Sequence, residues 1–158
     1  FVFVGRGTAV EQIKKRADGY NLENVLFFDE INPDTISGLL SQCHIGLIAL
    51  DPRHRNDNIP GKFLAYMQAG LPVLANINAG NDLKALVDEY QVGKVEENNL
   101  LSSLTEMARN VVANLELDNA IQQRCQDLSR AKFSPASAVS QIISSLESAS
   151  PSSSESAR

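Results

Sequence analysis

The residue types best suited to binding chemistry belong to a polar loop that leads into a helix. The loop reads Asn-Asp-Asn at residues 56–58, and Ile-Pro-Gly-Lys follows at residues 59–62. The first turn of a helix presents free backbone N–H groups and the positive end of the helix dipole, and both attract phosphate groups. The ammonium group of Lys62 adds a positive charge, so an anion such as a diphosphate is the predicted ligand. The predicted site contains Asn58, Ile59, Gly61 and Lys62.

An ordinary capped helix with a solvated lysine is the alternative interpretation of this segment. The helical period favours a binding site, because it gathers Phe63, Leu64 and Met67 into a buried stripe and leaves space beside Lys62. The other face is predicted to carry Asn58, Lys62, Ala65 and Ala69. The dipole contributes only about 0.3–1 kcal/mol when exposed, so the lysine and the amide hydrogen bonds must provide most of the binding.

Short apolar runs alternate with longer segments of helical period, and this rhythm predicts the elements that position the loop. Strands are predicted at residues 1–4, 25–28, 45–50, 73–75 and 93–96. Helices are predicted at residues 10–17, 33–41, 60–69, 81–89, 100–114, 118–130 and 135–146. The continuous apolar run at residues 45–50 is typical of a parallel strand covered on both faces. The sequence therefore predicts an α/β fold with a Rossmann-like, doubly wound parallel sheet.

Local cap signals support two of the predicted helix starts. Thr8 and Glu11 have the spacing of a capping box, in which each side chain accepts from a backbone N–H of the other residue. Asn32, Pro33 and Asp34 supply a cap, a first-turn proline and an acid near the positive helix end. Both helices are therefore predicted to begin close to these residues.

Ligands of open α/β sheets lie beyond the carboxyl ends of the strands. Three loops meet that condition, at residues 5–7, 51–61 and 76–80. The first reads Gly-Arg-Gly but is not a dinucleotide fingerprint, because Val10 stands where the third glycine is required. It is either a tight turn or a place where Gly5 and Arg6 contact a ligand, and both residues are kept as candidate binding residues.

Composition limits the class of protein. A chain of 158 residues with 43% hydrophobic content can bury one core, so a single domain is predicted at residues 1–147. The net charge of -5 argues against a nucleic-acid partner. No apolar run has the length of a membrane span and no secretion signal is recognised, which favours a cytoplasmic location. The serine-rich segment at residues 148–158 is predicted to be disordered.

Cysteine and histidine usage gives no support for a metal site or a disulfide. Cys43 and Cys125 have no second thiol at ligand spacing, which suits a reducing compartment. His44 is interpreted as an ordinary strand-entry residue, because a lone histidine lacks the orienting partner that acid-base catalysis needs. The role of His54 is left open, because this residue lies in the polar loop. The chain opens directly on a strand-like run, so we expect it to be a piece of a larger protein.

The stretch NIPGKFLAYMQAGLPVLA at residues 58–75 carries a resemblance to a known family. Its pattern P-x-K, Y-M and G-x-P-V, with LLSQCHIGLIAL before it and NAGND and VGKVEENN after it, resembles the donor-nucleotide half of family 4 retaining glycosyltransferases. These enzymes have the two-domain GT-B fold, and the subgroup with this pattern serves bacterial surface-polysaccharide assembly, lipopolysaccharide included. The likeness covers roughly residues 1–146 and implies that the chain is the C-terminal half of such a fold.

The resemblance implies roles for particular residues. In the family the donor diphosphate sits at this helix start, and two glutamates eight positions apart contact the sugar and the ribose. The first falls on Asp57, which keeps a carboxylate, and the second on Ala65, which has no side-chain acceptor. The resemblance thus assigns Asp57 and Lys62 as catalytic. It also places Phe28 near the base, with a plain strand-to-helix connection as the alternative, and Gly80 and Asn81 near the donor.

The implied enzyme is a metal-independent glycosyltransferase that needs no cofactor and moves a hexose or aminosugar from a nucleotide-diphosphate sugar. Its acceptor is expected to be a lipid-linked or polysaccharide precursor at the inner face of the membrane, where the full enzyme would associate peripherally. The acceptor-binding domain would lie upstream, so the fragment alone is expected to be inactive.

Three alternatives accompany this interpretation. One is a non-catalytic α/β domain that binds a partner or regulates it through the polar loop. Another is a nucleotide-sugar epimerase, which is disfavoured because the sequence lacks the clustering of acidic residues and arginine that those enzymes share. The third concerns the donor only, since a deoxyribose nucleotide such as a thymidine diphosphate would miss the glutamate at Ala65 less than a uridine diphosphate would.

Overall fold

In the computed structural model the described residues are 1–51, 53, 58–115 and 117–149. The chain divides into two compact units, Phe1–Gln42 and Cys43–Arg158. The single domain expected from chain length stays a prediction.

The first unit is built around a two-stranded parallel sheet. Its elements follow one another as strand β1 (Val2–Val4), helix α1 (Val10–Gly19), strand β2 (Leu26–Phe28), a 3-10 turn (Pro33–Thr35) and helix α2 (Ile36–Leu40). The strands pair with Phe3 opposite Phe27, and the two rings stack with centroids 5.2 Å apart. A helix between two parallel strands is the βαβ arrangement that the alternating sequence pattern predicts.

The two predicted caps of this unit have different outcomes. The Asn32 side chain accepts a hydrogen bond from Asp34 N at 3.0 Å, so that cap is confirmed. The capping box at Thr8 is wrong, because α1 begins after Ala9 and no side chain caps it. Glu11 is instead 3.2 Å from Lys14 Nζ, one turn along the same helix. An exposed ion pair of that spacing competes readily with a cap for a flexible glutamate.

The second unit is built around a three-stranded parallel sheet in the order β3-β4-β5. Its strands are β3 (Gly46–Ala49), β4 (Val73–Asn76) and β5 (Gly93–Glu96). Its helices are α3 (Gly61–Ala69), α4 (Leu83–Tyr90), α5 (Leu101–Leu115), α6 (Ile121–Phe133) and α7 (Pro135–Ala149). Strands alternate with helices, so the predicted α/β class is confirmed, and each predicted strand and helix is found.

The core of the second unit lies where α3, α4 and α6 meet the sheet. Phe63 and Met67 of α3 and Leu83 of α4 have no exposed surface. The Phe63 ring meets the Phe133 ring edge to face, with centroids 6.0 Å apart. The other buried members of this cluster are Ile48, Val73, Ala75, Ile77, Val87, Val92, Val95, Cys125 and Leu128. Burial raises the pKa of the Cys125 thiol to about 12, so this cysteine stays protonated in the core.

Two predictions of burial are wrong in detail. Leu64 is 37% exposed, because the buried stripe of α3 follows Phe63, Met67 and Gly70 and leaves Leu64 about 100° from Phe63 around the helix. Leu47 and Ala49 are also exposed, although the continuous apolar run predicts burial on both faces of the strand. In β3 only Gly46 and Ile48 are buried, in the alternating pattern of a strand covered on one face.

Backbone geometry at two glycines fixes the positions of α3 and β5. Gly70 ends α3 with φ of 77°, while Leu71 N donates to Tyr66 O at 2.8 Å and Gly70 N to Met67 O at 3.1 Å. These bonds form a Schellman motif, which uses a glycine because the left-handed conformation strains other residues. Gly93 begins β5 with φ of 151°, and a Cβ there would lie 2.1 Å from Val73 O.

The end of the chain differs from its predicted boundary. Helix α7 includes Ser148 and Ala149, whereas the sequence predicts disorder from Ser148. Residues 150–158 lie outside the described part of the chain. Among the helices that the structure describes, none combines the length and the apolar character of a membrane span.

Candidate functional site

The predicted anion site is the start of α3, at the carboxyl edge of the three-stranded sheet. Pro60 precedes the helix in extended conformation and has no N–H group to satisfy, while Phe63 N donates to Pro60 O at 2.9 Å. The backbone N–H groups of Gly61 and Lys62 donate to no group of the described residues. Both residues are exposed. With respect to the described part of the chain, the helix therefore presents two unused amide donors at its positive end.

Lys62 supplies the cationic side chain of this site. It makes no ion pair with any residue in the described ranges. Lys84 provides a contrast. Lys62 is the second residue of α3, and Lys84 is the second residue of α4. Its Nζ lies 3.0 Å from Asp88 Oδ2, and that hydrogen bond, together with the charges of Asp88 and the nearby acids, raises the pKa of Lys84. Of these two lysines, Lys62 is the one that no acid of the described residues engages, which leaves its charge available to an anion.

The loop before α3 is held by the loop that follows β4. Asn81 is 3% exposed, and its Oδ1 accepts from Leu83 N at 2.9 Å, as a helix cap does. Its Nδ2 donates to Asn58 O at 3.3 Å. One buried amide side chain thus joins the start of α4 to the chain segment that enters α3.

The third strand holds the β4–α4 loop from its other side. Glu97 Oε1 accepts from Gly80 N at 3.0 Å, and Ile77 N donates to Glu96 O at 3.0 Å. Asn76 Nδ2 donates to Asn99 Oδ1 at 2.6 Å, while Asn76 Oδ1 is buried and finds no donor among the described groups. Because the strands are parallel, their carboxyl ends lie at one edge of the sheet, and these polar residues collect there.

Ala65 and Asp57 are the positions that the resemblance assigns to the family's two glutamates. Ala65 lies one turn beyond Gly61 on α3 and is half-buried, and its methyl side chain accepts no hydrogen bond. Asp57 and His54 lie outside the described residues. Ile59 is partly buried and packs against the core cluster, so its side chain anchors the loop.

The remaining predicted site residues come together in the first unit. Gly5 N donates to Phe28 O at 3.1 Å, which brings the ends of β1 and β2 together. Gly5 has φ of 131°, and Phe28 is 53% exposed. Arg6 Nε lies 3.0 Å from Glu30 Oε1, with 84% of the arginine side chain exposed. Gly5, Arg6 and Phe28 thus lie at one edge of the two-stranded sheet.

Tyr66 of α3 packs against β3 and forms a hydrogen bond with it. Its hydroxyl donates to Leu47 O at 3.2 Å, and burial raises the pKa of Tyr66, with a smaller effect from the charge of Cys43. A Cβ at Gly46 would lie 2.3 Å from the Tyr66 ring. Gly46 therefore lets the helix approach the strand closely, which fixes the height of the α3 start above the sheet.

The described side chains form no cluster of metal ligands. Across residues 1–51, 53, 58–115 and 117–149 no group of three or more His, Cys, Asp or Glu residues is arranged to hold a metal ion. His44 is exposed at the entry to β3.

Sequence reasoning missed the structural roles of Asn81 and Glu97. An asparagine two residues before a helix is a cap signal, so half of the Asn81 role was available from the sequence. Its bond to Asn58, 23 residues away, and the bond from Gly80 to Glu97, 17 residues away, depend on how the strands pack.

Comparisons with known proteins identify the family of the chain. The sequence profile of the family described as "Glycosyl transferases group 1" matches residues 1–115. A protein of Pseudomonas aeruginosa named "Probable glycosyltransferase WbjE" is 26% identical over 93 residues, which is 59% of this chain and 23% of that protein. The chain therefore spans less than a quarter of the length of this relative. The family match includes both sheets and the whole of α3, and the chain belongs to the glycosyl transferases group 1 family.

Proposed function

We propose that this member of the glycosyl transferases group 1 family binds the diphosphate of a nucleotide-sugar donor at the start of α3. The observation that carries the proposal is that the Gly61 and Lys62 amides and the Lys62 ammonium group have no partner among residues 1–51, 53, 58–115 and 117–149. A diphosphate accepts several hydrogen bonds and carries the charge that a helix start and a lysine favour.

In the proposed reaction the bond between the sugar and the diphosphate breaks, and negative charge grows on the leaving phosphate oxygens. Donors that already point at those oxygens stabilise that charge without reorganising. Lys62 and the α3 amides serve this role, and Asp57 contacts the sugar. The proposed transfer retains the configuration of the sugar and uses no metal ion or other cofactor.

Recognition of the nucleoside is the part in which this chain departs from its family resemblance. A charged hydrogen bond to ribose, worth about 1.5–3 kcal/mol, is lost where Ala65 replaces a glutamate. A uridine diphosphate donor is our proposal. A thymidine diphosphate donor is the second candidate, because it has one hydroxyl fewer to satisfy. Competition between the two diphosphates decides, and tighter uridine binding removes the second candidate.

The complete enzyme is proposed to transfer a hexose or aminosugar to a lipid-linked or polysaccharide precursor. The acceptor-binding half would be supplied by chain outside these 158 residues, and the enzyme would work in the cytoplasm at the inner face of the membrane. The name of the Pseudomonas relative supports glycosyl transfer in general and leaves the acceptor open. The isolated chain is expected to bind the nucleotide weakly and to transfer no sugar.

Lys62→Ala tests the proposal, with Lys84→Ala as its matched control. Uridine diphosphate is titrated into each variant, and NMR chemical shifts of backbone amides give the Kd. Loss of a charged hydrogen bond predicts a Kd about tenfold to a hundredfold higher for Lys62→Ala. Lys84→Ala is expected to keep the wild-type Kd, because Asp88 already occupies that lysine.

The wild-type titration also separates the classes of function. Shifts concentrated at Asn58–Lys62 support the donor site. A flat response of the wild-type chain contradicts it and favours a domain that only binds a partner. In the intact enzyme, unchanged turnover by Lys62→Ala would remove this lysine from the mechanism.

A further inference from the structure

We infer that Asn81 is a positioning residue that holds the α3 amides in the geometry that binds a diphosphate. This inference rests on the proposed function and extends it to a residue on a different loop. The proposed role of Asn81 is indirect and requires no contact with the substrate or with Lys62. It acts through the backbone carbonyl of Asn58, three residues before the first residue of α3.

The geometry of Asn81 gives the side chain two fixed ends. Its Oδ1 accepts from Leu83 N at 2.9 Å, and Leu83 is a fully buried member of the core cluster. Its Nδ2 donates to Asn58 O at 3.3 Å. Since one end is anchored in the core, the other end restrains the peptide group between Asn58 and Ile59. That peptide group leads directly into the turn that presents the Gly61 and Lys62 amides.

The loop that carries Asn81 is itself restrained. Glu97 Oε1 accepts from the backbone N–H of Gly80, the residue just before Asn81, at 3.0 Å. The Ile77 backbone is bonded to Glu96 O at 3.0 Å. The restraint on Asn58 is therefore transmitted from two neighbouring strands, β4 and β5. A loop held in this way lowers the entropy lost when an anion orders the amides.

Asparagine is the residue type that both bonds require. The acceptor oxygen caps α4, and the amide nitrogen donates to a carbonyl. Serine can cap the helix, but its side chain is too short to reach Asn58 O as well. Aspartate keeps the length and the cap but has no donor for Asn58 O. Substitutions can therefore remove the bond to the α3 loop while they keep the cap on α4.

Asn98 supplies a matched control within the same sheet edge. Its Oδ1 accepts from Leu100 N at 2.8 Å, which is the same bond two residues ahead that Asn81 makes. Its Nδ2 donates to Ser103 Oγ at 3.2 Å, in the first turn of the helix that follows. Asn98→Ser is therefore expected to change the cap before α5 as Asn81→Ser changes the cap before α4, and to leave the segment before α3 unaffected.

The experiment compares Asn81→Ser with Asn98→Ser in the 158-residue chain. Uridine diphosphate is titrated into each variant, and the Kd, the melting temperature and the amide shifts of the ligand-free protein are measured. We expect Asn81→Ser to raise the Kd roughly threefold to tenfold, the range set by one net hydrogen bond. The ligand-free amide signals of Gly61 and Lys62 should shift in Asn81→Ser and stay in place in Asn98→Ser.

Asn81→Asp combined with Asp82→Asn gives a second variant if the serine variant unfolds. This exchange keeps the net charge of the pair and the cap acceptor and removes the donor to Asn58 O, so the same rise in Kd is expected. A wild-type Kd in a folded Asn81 variant overturns the inference while the proposed function stands. A wild-type chain that does not bind uridine diphosphate overturns both.

Discussion

The two sheet edges that carry predicted site residues are built differently. At the edge of the second unit, Ile59 packs against the buried core, and Asn81, with 3% of its surface exposed, joins Asn58 to the start of the next helix. At the edge of the first unit, Arg6 and Phe28 are mostly exposed, and Arg6 forms an exposed ion pair with Glu30. Both edges follow parallel strands in a βαβ order.

The contrast shows that position at a strand end does not by itself make a rigid site. Exposed ion pairs contribute about 0–1 kcal/mol, so Arg6 is restrained only weakly. A buried side chain with two hydrogen bonds is restrained strongly, because its release would leave buried polar groups unsatisfied. This difference supports the proposal that the diphosphate binds at the start of α3.

Removal of the anchoring aromatic side chain should expose the contrast most strongly. Phe63→Ala deletes a side chain with no exposed surface beneath the α3 start, and a loss of about 3–5 kcal/mol in the free energy of unfolding is expected. Phe28→Ala, at the first edge, is expected to cost about 1 kcal/mol or less, because that ring is mostly exposed. Denaturant unfolding measures both. Equal losses would contradict the difference between the edges.

Replacing a glycine by alanine should change the free energy of unfolding in opposite directions in the two units. Gly46→Ala places a Cβ within 2.3 Å of the Tyr66 ring, so the ring must move and its bond to Leu47 O is lost. Overpacking of this kind costs about 1–3 kcal/mol. Gly38→Ala meets no atom within 4 Å in α2 and should stabilise by roughly 0.5–1 kcal/mol through helix propensity. Thermal unfolding of both variants gives the signs.

Acid should weaken the second unit through one ion pair. Arg124 hydrogen-bonds Asp118 and also donates to Gln91 O at 2.9 Å, and its hydrogen bond lowers the pKa of Asp118 below the ordinary 3.8. A lowered pKa in the folded state stabilises the protein above the unfolded value, and this contribution is lost as pH falls below about 3.8 through the folded value.

Melting temperatures between pH 7 and pH 2.5 test this pair. Asp118→Asn should melt lower than wild type at neutral pH and lose less of its stability on acidification. Glu30→Gln, which removes the exposed pair of the first unit, should leave the acid profile unchanged. An acid profile of Asp118→Asn that matches wild type would exclude this pair as a source of the pH dependence.

Local signals accounted for much of the fold. The start of α3 was predicted within one residue, because Pro60 and Gly61 mark a first turn, and its end at Gly70 follows from a glycine conformation. The Asn32 cap was also predictable from local sequence, because its hydrogen bond joins residues only two positions apart. The Thr8 capping box failed although its spacing was right, because a flexible glutamate had a second partner one turn away.

The sequence by itself determined the α/β order, the position of Lys62 at a helix start and the family resemblance. These depend on periodicity and on bonds within one turn, which neighbouring residues dictate. Tertiary structure alone decided that Asn81 reaches Asn58, that Glu97 holds Gly80 and that Tyr66 lies over Gly46. Those contacts join residues 17–23 positions apart, and they form only once β3, β4 and β5 have aligned their carboxyl ends at one edge.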